Sequence, residues 1–382
     1  MIEFWNSLLD AGLLGFLHLT WQGAAMMAIG GLLLWLGIAR KIEPVLLVPI
    51  GAGCILANIP LGAVSDPGGF LSILNNAGIK TELFPLLIFI AIGAMIDFEP
   101  FLQRPYTIFL GGAAQFGIFA TFFLAYLLGD GWLGVLSFSL KDAAAIGTIG
   151  SADGPTTVYV SAILQTKYLA PIVVAAYTYM ALVPIIQPPI IKLLVNKTDR
   201  ALKMPTFVGA TPKKVKILFP IVTVVLTGLI APLAVPLVGC LMFGNLLREC
   251  GVVNSLSQTA QNEMANIVTI LLGITVGGMM NGVEFLKPET ILVFGLGVVA
   301  FALDTVSGVL LGKLLCVLSK RKVNPMIGAC GISAFPMSSR VVQKLGLEAN
   351  PRNHLLMHAA GANVAGQIAS VVAGAVMLML VF

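Results

Sequence analysis

At 382 residues, with 58% hydrophobic and only 10% charged side chains and a mean hydropathy of +0.98, the chain lies outside the soluble globular class, whose members carry about 25% charged residues. Apolar runs of about 17–25 residues recur along it, so helices rather than barrel strands are the spanning units. The net charge of +5 is modest and gathers in connecting segments, which suits loops beside anionic lipid and not a nucleic-acid surface.

In chain order, the apolar run Gly12–Leu36 is too long for a signal-peptide core and has no basic leader, so a retained first span is expected. Spans are predicted over 12–38, 44–62, 82–97, 105–129 and 168–190, with a Gly- and Pro-broken segment at 141–165. A second set is predicted over 215–231, 233–248, 264–281, 288–312 and 353–381, with a broken segment at 325–345. Between the sets lies a polar connection holding Lys197, Arg200, Lys203, Lys213 and Lys214, which its charge places in the cytoplasm. The division expected is a first transmembrane repeat over 1–195, a basic linker over 196–214 and a second repeat over 215–382. The five cysteines, at 54, 240, 250, 316 and 330, show no paired spacing and read as packing residues.

The two sets align as copies. Gly93-Ala94-Met95-Ile96-Asp97 falls on Gly277-Gly278-Met279-Met280-Asn281; Pro105, Thr107 and Ile108 fall on Pro288, Thr290 and Ile291; Ile146-Gly147, Gly150 and Pro155 fall on Ile327-Gly328, Gly331 and Pro336. Charge then gives the topology. Arg40-Lys41, the 192–216 connection and Lys313, Lys320, Arg321 and Lys322 all lie inside only if 141–165 enters and returns to one face. The fold expected is an all-α polytopic membrane protein of two inverted-topology repeats, each of about five transmembrane helices plus one re-entrant broken hairpin. Discontinuous segments meeting near the midplane are the architecture of secondary transporters.

The first broken segment reads Gly147-Thr-Ile-Gly-Ser-Ala-Asp153-Gly-Pro-Thr-Thr157, one acid among hydroxyls. An acid at that depth costs about 2.5–3.5 kcal/mol on insertion scales and needs a partner, a cation or a proton. The second, Asn324 to Arg340, holds no acid but supplies Asn324, Ser333 and Arg340. If the tips meet, Asp153, Ser151 and Thr156 come near Ser333 and Asn324. One carboxylate among neutral oxygens suits Na⁺ or H⁺ better than calcium. In the helices that follow, Tyr177 and Tyr179, and Asn363 and Gln367, add polar groups, with Tyr179 and Asn363 at matched positions. Arg340 either holds a carboxylate bidentately or anchors at headgroups. Asp304, inside an apolar span, is a proton or ion way-station or a helix-packing group. Asp97 and Glu99 read as a solvated turn. His354 and His358 share a helix face but lack a third ligand for zinc, and no nucleotide-binding motif is present.

At these residues the sequence resembles the β subunit of the biotin-dependent, sodium-translocating decarboxylases, the family of the oxaloacetate, methylmalonyl-CoA and glutaconyl-CoA decarboxylases. The motifs that carry the resemblance are Gly150 to Thr156, Tyr177 to Pro189, Gly244 to Gly251, Asn324 to Gly328 and Ala359 to Gly366. It implies a translocase subunit of the bacterial inner membrane that accepts carboxybiotin from a biotin-carrying carboxyltransferase α subunit, decarboxylates it and couples CO₂ release to Na⁺ export. It also implies a small membrane γ/δ-type subunit, a homo-oligomer and an elevator-type fold. By the same resemblance Asp153, Tyr179, Asn324, Ser333, Arg340 and Asn363 serve Na⁺ and proton handling, Arg340 and Asn324 also meeting the carboxylated cofactor. The lack of a long extra loop leans toward a CoA-ester complex. The alternative kept beside this is a Na⁺-coupled carrier of a small carboxylate.

Overall fold

The computed structural model describes residues 15–129, 138–205 and 209–382, so residues 12–14 of the first predicted span lie outside it. The regular elements among the described residues are all helical. In order they form α1 (Trp21–Ile38), α2 (Pro44–Asn58), α3 (Phe70–Leu74) running into a π-turn Asn75–Ile79, α4 (Leu83–Met95), α5 (Glu99–Gln103), α6 (Thr107–Ala114) and α7 (Phe116–Leu128). Then come α8 (Leu140–Gly147), a 3-10 turn Thr148–Ser151, α9 (Gly154–Leu164), α10 (Leu169–Leu194), α11 (Lys197–Arg200), α12 (Lys213–Ile230) and α13 (Val235–Cys250). The last stretch holds α14 (Asn254–Thr259) running into a π-turn Ala260–Met264, α15 (Ala265–Gly278), α16 (Gly282–Phe285), α17 (Pro288–Leu318), a 3-10 segment Pro325–Gly331, α18 (Met337–Ala349) and α19 (Leu356–Val381).

Six described helices are long and apolar enough to cross a membrane: Trp21–Ile38, Thr107–Leu128, Leu169–Leu194, Pro232–Cys250, Pro288–Leu318 and Leu356–Val381. Their lipid-ready faces carry bare side chains such as Leu193, Phe123, Leu314 and Leu380. This is a multi-pass membrane protein. Of the ten predicted spans, four fall short of that test on their own, α4 passing it only together with Phe70–Ile79 across a 64° bend. α2, α4 and α15 have 15, 13 and 14 residues, and α12 begins with Lys213, Lys214 and Lys216. The span predicted over 105–129 is broken at Gln115. The Gln115 amide takes the carbonyls of Gly111 and Gly331 at 3.0 and 3.2 Å, which interrupts the ladder with a side chain.

Two compact units form: one comprises the chain up to Phe84 with Ile267–Leu292, the other Pro85–Asn266 with Val293–Phe382. In the first, α2 crosses α15 at bare backbone. A Cβ on Gly53 would stand 2.2 Å from the Ile274 carbonyl oxygen, and one on Gly277 2.0 Å from that of Ile50. Asn58 then locks the end of the crossing by donating to Met280 O at 2.6 Å and accepting from Gly282 N at 3.0 Å. In the second unit α4 crosses α13 in the same manner, through Gly93 against Leu241 O and Gly244 against Ile90 O. Without hydrophobic drive between helices in lipid, such close approach is what holds them.

At the end of the α4–α13 crossing, Lys216 donates to Glu99 at 2.5 Å, Glu99 also accepts from Thr211 N, and Arg248 reaches Asp97 at 3.7 Å. The Asp97–Glu99 turn is thus ion-paired, not merely solvated. The Lys216 hydrogen bond, and after it the Thr211 amide, hold the Glu99 carboxyl below the usual carboxylate range. A depressed acid contributes stability above its unfolded value and loses it as pH falls through the folded one. Because the pair is partly exposed, Glu99→Gln is expected to cost about 0.5–1 kcal/mol at neutral pH in detergent melts, with the difference from wild type shrinking as pH falls below the usual carboxylate range. An equal difference at neutral and acid pH contradicts the pairing.

Candidate functional site

The second unit contains both broken segments. The first opens on a capping box, with Ser139 and Asp142 bonded reciprocally, and Thr166 from its far end donates to Asp142 Oδ1 at 2.5 Å. One carboxylate therefore ties together the two ends of the hairpin. At the tip, α8 gives way to the 3-10 turn Thr148–Ser151; Ala152 turns left-handed at φ 50° and Asp153 is extended before Gly154-Pro155 starts α9. Hydroxyls take the carbonyls the break leaves open. Thr148 Oγ1 donates to Ala145 O, Ser151 Oγ to Thr148 O, and Thr157 Oγ1 lies 2.9 Å from Asp153 O. The second segment is satisfied mainly from outside itself: Gln187 serves Ala329 O together with the segment's own Ser338, Gln115 serves Gly331 O, and Asn363 serves Ile332 O at 2.6 Å.

The tips meet. Ser333 N donates to Ser151 O at 3.1 Å, and Asp153 is 2% exposed at this junction. Its Oδ2 is faced by Thr156 Oγ1 at 2.7 Å, Ser370 Oγ at 3.0 Å, Ser333 Oγ at 3.1 Å and Gln367 Nε2 at 3.1 Å. The donors come from α9, α19 and the second broken segment, and all four are uncharged. Each hydroxyl can serve as donor to a carboxylate or as an oxygen ligand to a cation, so the same cage can meet Asp153 with or without an ion.

Comparison with known families decides what this architecture belongs to. The family model described as the Na⁺-transporting oxaloacetate decarboxylase beta subunit matches residues 22–381. The chain belongs to this family. Among relatives of this β-subunit family, the glutaconyl-CoA decarboxylase subunit beta of Acidaminococcus fermentans is 48% identical, covering 96% of this chain and 95% of its own. The methylmalonyl-CoA decarboxylase subunit beta of Propionigenium modestum is 46% identical over 96% of both chains, and the probable oxaloacetate decarboxylase beta chain of Pasteurella multocida is 45% identical over 96% of both.

Within this β-subunit chain the residues singled out from sequence fall into two groups. Asp153, Thr156 and Ser333 come together. Asn363 lies one step back, holding Ile332 O and accepting from Ser339. Asn324 is not brought to Asp153: it begins the second segment, donating to Arg200 O and Leu202 O and accepting from Met326 N. Tyr179 is spent on the Phe294 carbonyl at 2.5 Å, and it is the Tyr177 ring that lies on Gly154 beside the acid. Arg340 is exposed on α18, with no carboxylate paired to it among the described residues. Reading the sequence missed Ser370 and left Gln367 without a role. Asn363, Gln367 and Ser370 are spaced i, i+4, i+7, one stripe of a helix, and that spacing was the available signal.

A methyl on Gly154 would stand 2.5 Å from the Tyr177 ring. Gly154→Ala is therefore expected to destabilise by about 1–3 kcal/mol in detergent melts, and equally in a Tyr177→Phe background, since the ring and not the hydroxyl is the obstacle. An unchanged melting temperature contradicts this packing.

Proposed function

We propose that this chain decarboxylates carboxybiotin delivered by a biotin-carrying carboxyltransferase α subunit and exchanges the proton consumed for Na⁺ moving outward through the bacterial inner membrane. One observation carries the reading: a buried acid whose four bonded neighbours are all neutral, drawn from both broken segments and α19. Loss of CO₂ from an N-carboxylate breaks the N–C bond, leaves the electron pair on nitrogen and takes up one proton. A cation favours the carboxylate and desolvation favours the acid, so Asp153 alternates between a Na⁺-bound and a protonated state. Ser333, Thr156, Ser370 and Gln367 complete the oxygen cage. Asn363 and Tyr179 hold the frame from behind it, and Asn324 ties the linker to the base of the second hairpin. Arg340, exposed and with no ion-pair partner among the described residues, is assigned to the incoming carboxylate.

Inverted repeats with elevator-type motion belong to the same reading. Supporting it, each half contains a short helix that ends in a five-residue π-turn, Asn75–Ile79 and Ala260–Met264, followed by a glycine-crossed helix, α4 or α15. Helix lengths also repeat: α1 and α12 have 18 residues each, α10 and α19 have 26 each. The division at 1–195, 196–214 and 215–382 describes these copies, whereas the compact units cut across it. The working assembly is a homo-oligomer with a small γ/δ-type membrane subunit. A CoA-ester substrate for the complex is favoured by alignment length. The alignment to the glutaconyl-CoA relative runs 368 residues, while that to the Pasteurella oxaloacetate relative runs 420 for the same share of this chain, so the latter carries segments missing here.

Asp153→Asn is expected to leave the complex assembled while abolishing both decarboxylation and ²²Na⁺ uptake in reconstituted vesicles. Retained Na⁺-dependent turnover refutes the reading. Ser370→Ala removes one hydrogen bond to a charged group, about 1.5 kcal/mol, and so should raise the Na⁺ needed for half-maximal turnover about tenfold. An unshifted Na⁺ dependence removes Ser370 from the cage.

A further inference from the structure

A second carboxyl in the same unit has no exposure at all. Asp304 lies midway along α17, and the ion chemistry above leaves it unused. Its Oδ1 accepts the Gly117 amide at 2.5 Å, and the Ile118 amide faces the same carboxyl. These are the first-turn amides of α7, which the break at Gln115 leaves without the usual partner four residues back. Asp304 thus caps α7 from another helix, a position where the helix dipole favours an acid.

Its other oxygen, Oδ2, has no hydrogen-bond partner among the described residues. It is pressed against the 3-10 turn of the first broken segment: a Cβ on Gly150 would stand 2.7 Å from it, 3.1 Å from Ala300 Cβ and 3.2 Å from Ile118 N. On the other side of that turn the next residue, Ser151, accepts Ser333 N on its carbonyl and Asp153 N on its hydroxyl, the latter at 3.2 Å. A shift at Gly150 therefore moves both the junction of the two tips and the backbone that carries Asp153.

We propose that Asp304 is a positioning residue for the Asp153 site, joining the start of α7 to the turn Thr148–Ser151 and so setting the spacing of the oxygens around Asp153. It rests on the reading of Asp153 as a Na⁺ site. Asparagine, of nearly the same volume, keeps an acceptor for Gly117 but turns an NH₂ group toward the Gly150 turn where Oδ2 stands. Glycine is needed at 150 because any side chain enters the space Asp304 fills.

The test is protection of the purified full chain against thermal unfolding by NaCl, titrated at constant ionic strength against choline chloride. For Asp304→Asn and, separately, Gly150→Ala, the Na⁺ concentration giving half-maximal protection is expected to rise about tenfold over wild type, the equivalent of one hydrogen bond to a charged group. A lowered melting temperature without Na⁺, together with an unchanged half-maximal concentration, makes Asp304 a packing residue only and overturns the proposal. Should Asp304→Asn not fold, Gly150→Ala decides by the same criterion. Absence of Na⁺ protection in wild type fails the reading of Asp153 itself, and this proposal with it.

Discussion

An ionisable carboxyl in an apolar interior has to be compensated by something, and here the compensation at Asp153 is a ring of uncharged donors. Had a lysine or arginine been bonded to it, the acid would be fixed in one charge state and useless for exchange. Neutral hydroxyls and an amide stabilise the group less completely. On the proposed reading that incompleteness is functional, because the remaining stabilisation has to come from something that can leave. The rest of the second unit serves this arrangement: two broken segments that bring backbone and hydroxyls to the acid, and α19, which supplies two of its four bonded neighbours.

Breaking helices at that depth exposes carbonyls, and their satisfaction explains much of the polar content of an otherwise apolar chain. In the first segment the hydroxyls are local, each within a few residues of the carbonyl it serves. For the second, side-chain amides arrive from α10, α19 and the break between α6 and α7, beside the segment's own Ser338 hydroxyl. The contrast follows from backbone form. The first segment has a full helix on each side of its turn, whereas the second approaches through a 3-10 stretch that leaves more groups unpaired along its length.

Gly and Pro placed in apolar sequence made both breaks legible, and the lone acid among hydroxyls marked Asp153 and Thr156. The copy relation pointed to Ser333. Which side chain faces which neighbour was not legible, and the reason is periodicity. Tyr177 and Tyr179 are two residues apart on α10, about 200° around the helix, so one lies against the turn while the other turns to Phe294. A helix that is apolar all round offers no hydrophobic stripe from which to choose between them. Likewise nothing in the sequence shows that Gln115 bonds its own i−4 carbonyl and breaks a span, nor that Asn324 stands at the base of its segment and not at the tip. Nor were the π-turns that precede α4 and α15 legible.

The central claim is that Na⁺ and a proton compete for one carboxyl. Infrared difference spectroscopy of the reconstituted chain on adding Na⁺ tests this most directly, with Asp153→Asn as the control. The account predicts loss of one protonated-carboxyl C=O band and gain of a carboxylate band, both missing in the variant. A Na⁺-induced spectrum without a carboxyl change, or one that persists in Asp153→Asn, contradicts it.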